Sequence, residues 1–84
     1  MAGYHIAEIT RGQYGELSKI LEEAEELKDA MEQGQKLMCL IELSDMLGAI
    51  EGYLEKYYAG KITVTDLFNM SNATKNAFES GYRK

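Results

Sequence analysis

The chain contains no proline and no tryptophan, and only one cysteine and one histidine. A lone Cys39 forms no intrachain disulfide, and with His5 it makes a poor zinc set, so a reducing, cytoplasmic setting and no zinc centre are expected. Apolar runs long enough for a membrane span, ~20 residues, are missing. The opening stretch MAGYHIAEITRGQYGE also lacks the basic start and continuous apolar segment of a secretory leader. A soluble chain with no membrane partner is the expectation. Basic residues are scarce as well: nine Lys and Arg stand against fourteen Asp and Glu, for a net charge of −5. That balance argues against nucleic acid as the main ligand.

The charge is unevenly placed. Residues 1–60 hold twelve acids and five bases, whereas 61–84 hold two acids and four bases. An acidic body with a basic tail suits a site that holds metal at one end and phosphate at the other, although solvated helix faces of either sign produce the same asymmetry. With 84 residues, 45% hydrophobic and 27% charged, the chain reads as one globular domain. At this size the burial available to one chain barely covers the entropy of ordering it, so a partner chain is expected.

Three helices account for the pattern, with no repeat, linker or low-complexity segment. The first is expected to start near Thr10, whose spacing to Gln13 resembles a capping box, and to run to about Glu32, with Gly12 and Gly15 weakening its first turn. The second spans about 35–59, and the third opens at Thr63, with Asp66 three residues on, and ends before Gly81. Gly34 and Gly60 follow the first two as C-terminal caps. Around the first helix, Tyr14, Leu17, Leu21, Ala24 and Met31 form an apolar stripe widened by Ile20 and Leu27, with Glu16, Glu23 and Glu26 along its border. Leu40, Leu43, Met46, Leu47, Ile50, Tyr53, Leu54 and Tyr57 cover nearly half of the second helix. That is more apolar perimeter than two neighbours in a monomer can cover, which points to a homodimer or homotetramer. Gly48, Ala49 and Gly52 permit close helix approach or leave room for a ligand, close packing being the favoured reading.

Two acid pairs stand at helical i, i+3 spacing: Glu23 with Glu26, and Glu42 with Asp45. On facing helices they supply four carboxylates to one point, a hard-oxygen site suited to magnesium or manganese. Without a cation four such groups repel one another. Glu42 and Asp45 also lie in the most apolar stretch of the chain, where acids are expensive unless paired.

The segments KILEEAEELKDA and IELSDMLGAIEGYL resemble the all-α nucleoside triphosphate pyrophosphohydrolases of the MazG type. That family's Glu-Glu-x-x-Glu, gap, Glu-x-x-Asp pattern is met by Glu22, Glu23, Glu26, Glu42 and Asp45, and the resemblance covers most of residues 15–60. It implies an all-α fold of three helices per chain in an oligomeric bundle, looking like a compact, phage-type member of a superfamily that also includes phosphoribosyl-ATP pyrophosphatases and dimeric dUTPases. A phage-encoded chain would act in the host cytoplasm. The implied activity is magnesium-dependent cleavage between the α and β phosphates of a (d)NTP or related nucleotide. Carried over, Glu23, Glu26, Glu42 and Asp45 are metal ligands, and Glu22 is the catalytic candidate, placed to complete the site, hold a second metal or orient the attacking water. Lys19, one turn before Glu23, is a phosphate-binding candidate. The tail SNATKNAFESGYRK loosely resembles late family elements and offers Asn72, Lys75, Phe78 and Arg83, of which Asn72, Lys75 and Arg83 join Lys19 as substrate-binding candidates. The departure of the tail from the commoner spacing keeps a second function in view, a non-catalytic oligomeric helical module that retains metal or nucleotide binding. Tyr53, Tyr57 and Tyr58 are read as packing residues, Cys39 as a small buried apolar group, and His5 as unremarkable.

Overall fold

A computed structural model describes residues 5–79, with side chains described through 76. Three α-helices follow in order: α1 Leu17–Glu32, α2 Lys36–Tyr58 and α3 Val64–Glu79. No strand is present among the described residues. The fold is all-α, as the periodicity requires.

The first helix starts later than Thr10. Gly15 takes a left-handed φ of 89°, and a turn closed by Glu16 N–H donating to Gln13 O (3.0 Å) precedes the first helical residue. Residues 5–13 therefore lie outside any helix, and the Thr10/Gln13 capping box does not form; Glu16 is the N-cap, with no side-chain hydrogen bond. At the other end, Gly34 adopts φ 72° and donates to Met31 O (3.0 Å), the left-handed exit that a Cβ would strain. The expected cap at the end of α2 arrives one residue early, at Ala59 (φ 53°), followed by Gly60. The start of α3 forms as expected: Thr63 Oγ1 accepts from Asp66 N–H (3.2 Å), while Asp66 Oδ2 accepts from Thr63 N–H (2.8 Å).

A three-residue connection, 33–35, returns α2 along α1. The pairing of Glu16 with Lys56 at one end and of Glu23 with Glu42 and Asp45 further along makes the two helices antiparallel. Helix α3 touches α2 and has no contact with α1 among the described residues. Gly52 permits a close approach, but by the Tyr14 ring rather than by a second helix: a Cβ at 52 would lie 2.5 Å from the ring's Cζ. Gly48 faces open space.

Much of the apolar stripe of each helix is left exposed. Among the described hydrophobic residues only Ala30, Ala49 and Leu54 are buried, while Tyr14, Leu17, Leu21 and Met31 on one side and Leu37, Leu40, Leu43, Leu47 and Tyr57 on the other are exposed. What α1 turns toward α2 is the acidic face: Glu22, Glu23, Glu26 and Asp29 are buried, and Glu42 of α2 is 0% exposed. Glu23 and Glu26 thus sit inside the helix interface rather than on the border of a packed apolar stripe. Cys39 is half-buried with a free thiol. Tyr53 is half-buried against Tyr57, ring centroids 4.7 Å apart, and Tyr57 and Tyr58 are exposed, so Tyr53 and Tyr57 pack on each other near the surface and not in a core.

Candidate metal centre

Residues 22, 23, 26 and 29 share one side of α1 because helical steps of three and four residues return to the same face. Antiparallel pairing then sets Glu42 and Asp45 opposite Glu23. Ligand-capable oxygens of Glu22, Glu23 and Glu26 lie within 4.8 Å of one another, as do those of Glu23, Glu42 and Asp45. The five acids of the two-helix pattern are thereby brought to one place. Asp45 stands at the exposed rim, in contrast to the apolar burial expected from its neighbours in sequence. A cleft of about 330 Å³ opens over Glu22, Glu23, Glu26 and Asp45, with Lys19 and Arg11 among its walls.

The acids divide into two kinds. Asp29 is fully engaged: it accepts from the backbone N–H groups of Ile6 (3.0 Å) and Ala7 (3.0 Å), from Gln33 Nε2 (2.8 Å) and from His5 Nδ1 (2.7 Å). Glu22 Oε1 accepts from Gly12 N–H (2.8 Å) and Lys19 Nζ (3.2 Å). These two carboxylates tie the strand-free segment 5–13 across α1 as a strap. Glu23 Oε1 and both oxygens of Glu42, by contrast, are buried without a hydrogen-bond donor among the described residues. Lys19 also reaches Glu23 Oε2, at 3.2 Å.

Electrostatics follow the same division. Burial pushes the Glu42 carboxyl above the usual carboxylate range, and the neighbouring Asp45 charge adds to it. Burial likewise raises Glu26, helped by Glu22 and Glu23 and opposed by His5. For Glu22 and Asp29 burial works upward too. The Gly12 amide and Lys19 at Glu22 outweigh it, as do His5 and the Ala7 and Ile6 amides at Asp29, and both end below their ordinary values. Burial disfavours the Lys19 ammonium, but Glu22 and Glu23 hold its pKa above the ordinary value.

A pH dependence of stability follows. Glu26 and Glu42 bind protons more readily folded than unfolded, so their contribution is present at low pH and lost as pH rises through their raised folded values. Glu22 and Asp29 contribute in the opposite sense, their share being lost as pH falls through their lowered values. In EDTA, the thermal midpoint is expected to rise as pH is lowered from neutrality toward the ordinary carboxylate range, about 4, and to fall again below it. A midpoint that falls monotonically on acidification from pH 7 contradicts this assignment.

The donor set is all oxygen where the two helices meet, and buried carboxylate oxygens without donors are what a hard divalent cation satisfies. Glu23, Glu26, Glu42 and Asp45 fit such an ion. Asn72 and Lys75 are exposed on α3 and do not line the cleft of their own chain. Arg83 lies outside the described residues, as does the side chain of Phe78. Sequence reasoning passes over Asp29 and Arg11 and treats His5 as unremarkable; the structure instead brackets His5 between Asp29, Glu26 and Glu42. Asp29 had a signal, its position three residues after Glu26 on the same face, while nothing local in the sequence marks His5. No helix among the described residues is long and apolar enough to cross a membrane. Neither family models, curated proteins nor solved structures yield a match to this chain.

Proposed function

We propose that the chain is a MazG-like, magnesium-dependent nucleotide pyrophosphohydrolase that acts as a homo-oligomer in the cytoplasm. The observation that carries this reading is the convergence of Glu22, Glu23, Glu26, Glu42 and Asp45, from two helices, around carboxylate oxygens that are buried and have no donor. Bound at Glu23, Glu26, Glu42 and Asp45, magnesium (or manganese) would supply positive charge for a polyphosphate and acidify water for attack on phosphorus. The chain's own residues supply the rest. Lys19 stands at the acidic end of the cleft and Arg11 lines its wall, so both present positive charge to the phosphates. Glu22, with one oxygen held by Gly12 and Lys19, is positioned at the cleft edge to orient the attacking water. Asn72 and Lys75 would meet a nucleotide only where an assembly brings α3 of another copy to the cleft.

Oligomerisation is supported by the exposed apolar faces of α1 and α2, whose combined extent leaves the isolated hairpin with almost no hydrophobic interior. The test is a panel of NTPs and dNTPs with magnesium, read as pyrophosphate and nucleoside monophosphate released. Turnover of at least one nucleotide, lost in Asp45→Ala, is expected. No turnover by the wild type favours the non-catalytic oligomeric module, and undiminished turnover by Asp45→Ala removes the acidic cluster from the reaction.

A further inference from the structure

The strap carries the chain's only imidazole into the acidic cluster. His5 Nδ1 lies 2.7 Å from Asp29 Oδ2, and the opposite nitrogen, Nε2, lies 3.3 Å from Glu26 Oε1 and 3.3 Å from Glu42 Oε2. The His5 and Glu42 side chains are 5% and 0% exposed. Nε2 makes its hydrogen-bond contact with Glu26, and Glu42 Oε2, although fully buried, has no hydrogen bond.

From this geometry we infer a transition-metal position formed by His5 Nε2, Glu26 and Glu42, beside the oxygen-only position of Glu23, Glu42 and Asp45. Three features converge. First, two ligand atoms each about 2.1 Å from a common ion stand ~3.0–3.4 Å apart at octahedral and tetrahedral angles. The two Nε2–oxygen separations of 3.3 Å match an edge of such a polyhedron. Second, the carboxylate behind Nδ1 is the outer-shell partner that metal-binding imidazoles ordinarily have: in the tautomer whose Nδ1–H is donated to Asp29, 2.7 Å away, Nε2 is the ligating nitrogen. Asp29 is itself fixed by two backbone amides and Gln33, so it is a positioning residue and not a ligand. Third, the fully buried Glu42, whose oxygens accept no hydrogen bond, is shared by both positions, which makes it the bridge between them. An imidazole in the donor set shifts preference from magnesium toward the later first-row dications, which bind nitrogen more strongly.

The inference rests on the cluster's holding divalent cations, not on nucleotide hydrolysis. Its test uses the full-length, tag-free chain titrated calorimetrically with CoCl2 and with MgCl2, alongside His5→Gln, Asp29→Asn and, as a control at an exposed acid, Glu25→Gln. Wild type should bind Co2+ more tightly than Mg2+. His5→Gln should weaken Co2+ by at least about tenfold and Mg2+ by no more than about twofold, and Asp29→Asn should weaken Co2+ by about tenfold, the range expected for an outer-shell partner. ZnCl2 should shift the single imidazole's Nε2 nitrogen resonance in wild type, a signature that a merely structural histidine does not give. Because residue 5 lies outside the helices, circular dichroism should show His5→Gln folded. Equal Co2+ affinity in wild type and His5→Gln, with Mg2+ still bound, overturns the His5 position and leaves the oxygen site standing. Failure of the wild type to bind either ion overturns both.

Discussion

Replacing Glu42 with glutamine is expected to abolish pyrophosphate release, by roughly a thousandfold or more, while making the metal-free chain more heat-stable than wild type. The two effects share one cause. Glu42 is the most deeply buried acid among the described residues, its oxygens accept no hydrogen bond although His5 Nε2 lies 3.3 Å from one of them, and Glu23 and Asp45 face it from within 4.8 Å. In the absence of a cation it suffers burial and like-charge repulsion together, and a neutral amide of the same shape removes both penalties. For a domain of this size each 1 kcal/mol regained raises the midpoint by about 4–8 °C, so a shift of several degrees in EDTA should be readily seen. The same substitution removes a charged ligand from the centre of the cluster, where the proposed chemistry needs a cation held and oriented. Steady-state turnover and thermal melts at one protein concentration, with magnesium and with EDTA, measure both. Turnover within a few-fold of wild type contradicts the role given to Glu42, and a lower EDTA midpoint contradicts its unsatisfied burial. Magnesium should stabilise wild type far more than Glu42→Gln, since binding to the native state alone raises stability with the logarithm of ligand concentration over Kd.

Leu47→Asp is expected to dissociate the assembly and unfold most of the chain. Leu40, Leu43 and Leu47 repeat at i, i+3 and i+7 along α2, and they are 65%, 45% and 45% exposed in the isolated chain. Covering such a stripe with another copy supplies the hydrophobic burial that the hairpin lacks within itself. A carboxylate placed in that covered stripe costs several kcal/mol unless paired, a large part of the roughly 5–10 kcal/mol that stabilises a small domain. Light scattering after size exclusion and far-ultraviolet circular dichroism report the two consequences separately. The exposed Glu51, replaced by Ala, should leave both unchanged. A monomeric wild type, or an assembly indifferent to Leu47→Asp, refutes the covered stripe.

Helix number and order were readable from the residues because periodicity and punctuation are local: Thr63 and Asp66 cap α3 as their spacing requires, and Gly34 ends α1. The start of α1 was misread because a Thr-x-x-Gln spacing competes with two glycines, and the left-handed Gly15 won. The acidic residues were identified, yet the face they occupy was not. Hydrophobic patterning assumes that the apolar stripe is the one a helix buries inside its own chain, whereas here the acids fill the hairpin interface and the stripe lies outside. Partner helices decide that choice, and single-chain periodicity does not contain them. Asp45 shows the same limit: its neighbours in sequence are apolar, but its own direction along α2 carries it to the rim. His5 was beyond reach for a different reason, since its partners lie 21 or more residues away in sequence.

Beyond the His5 side chain, the strap is fastened by main-chain amides: Ile6 and Ala7 donate backbone N–H groups to Asp29, and Ile6 turns its own side chain outward. Such a clasp is blind to residue type. Position 6 can therefore change freely through evolution or engineering without loosening the segment, proline alone being barred because it has no amide hydrogen to give.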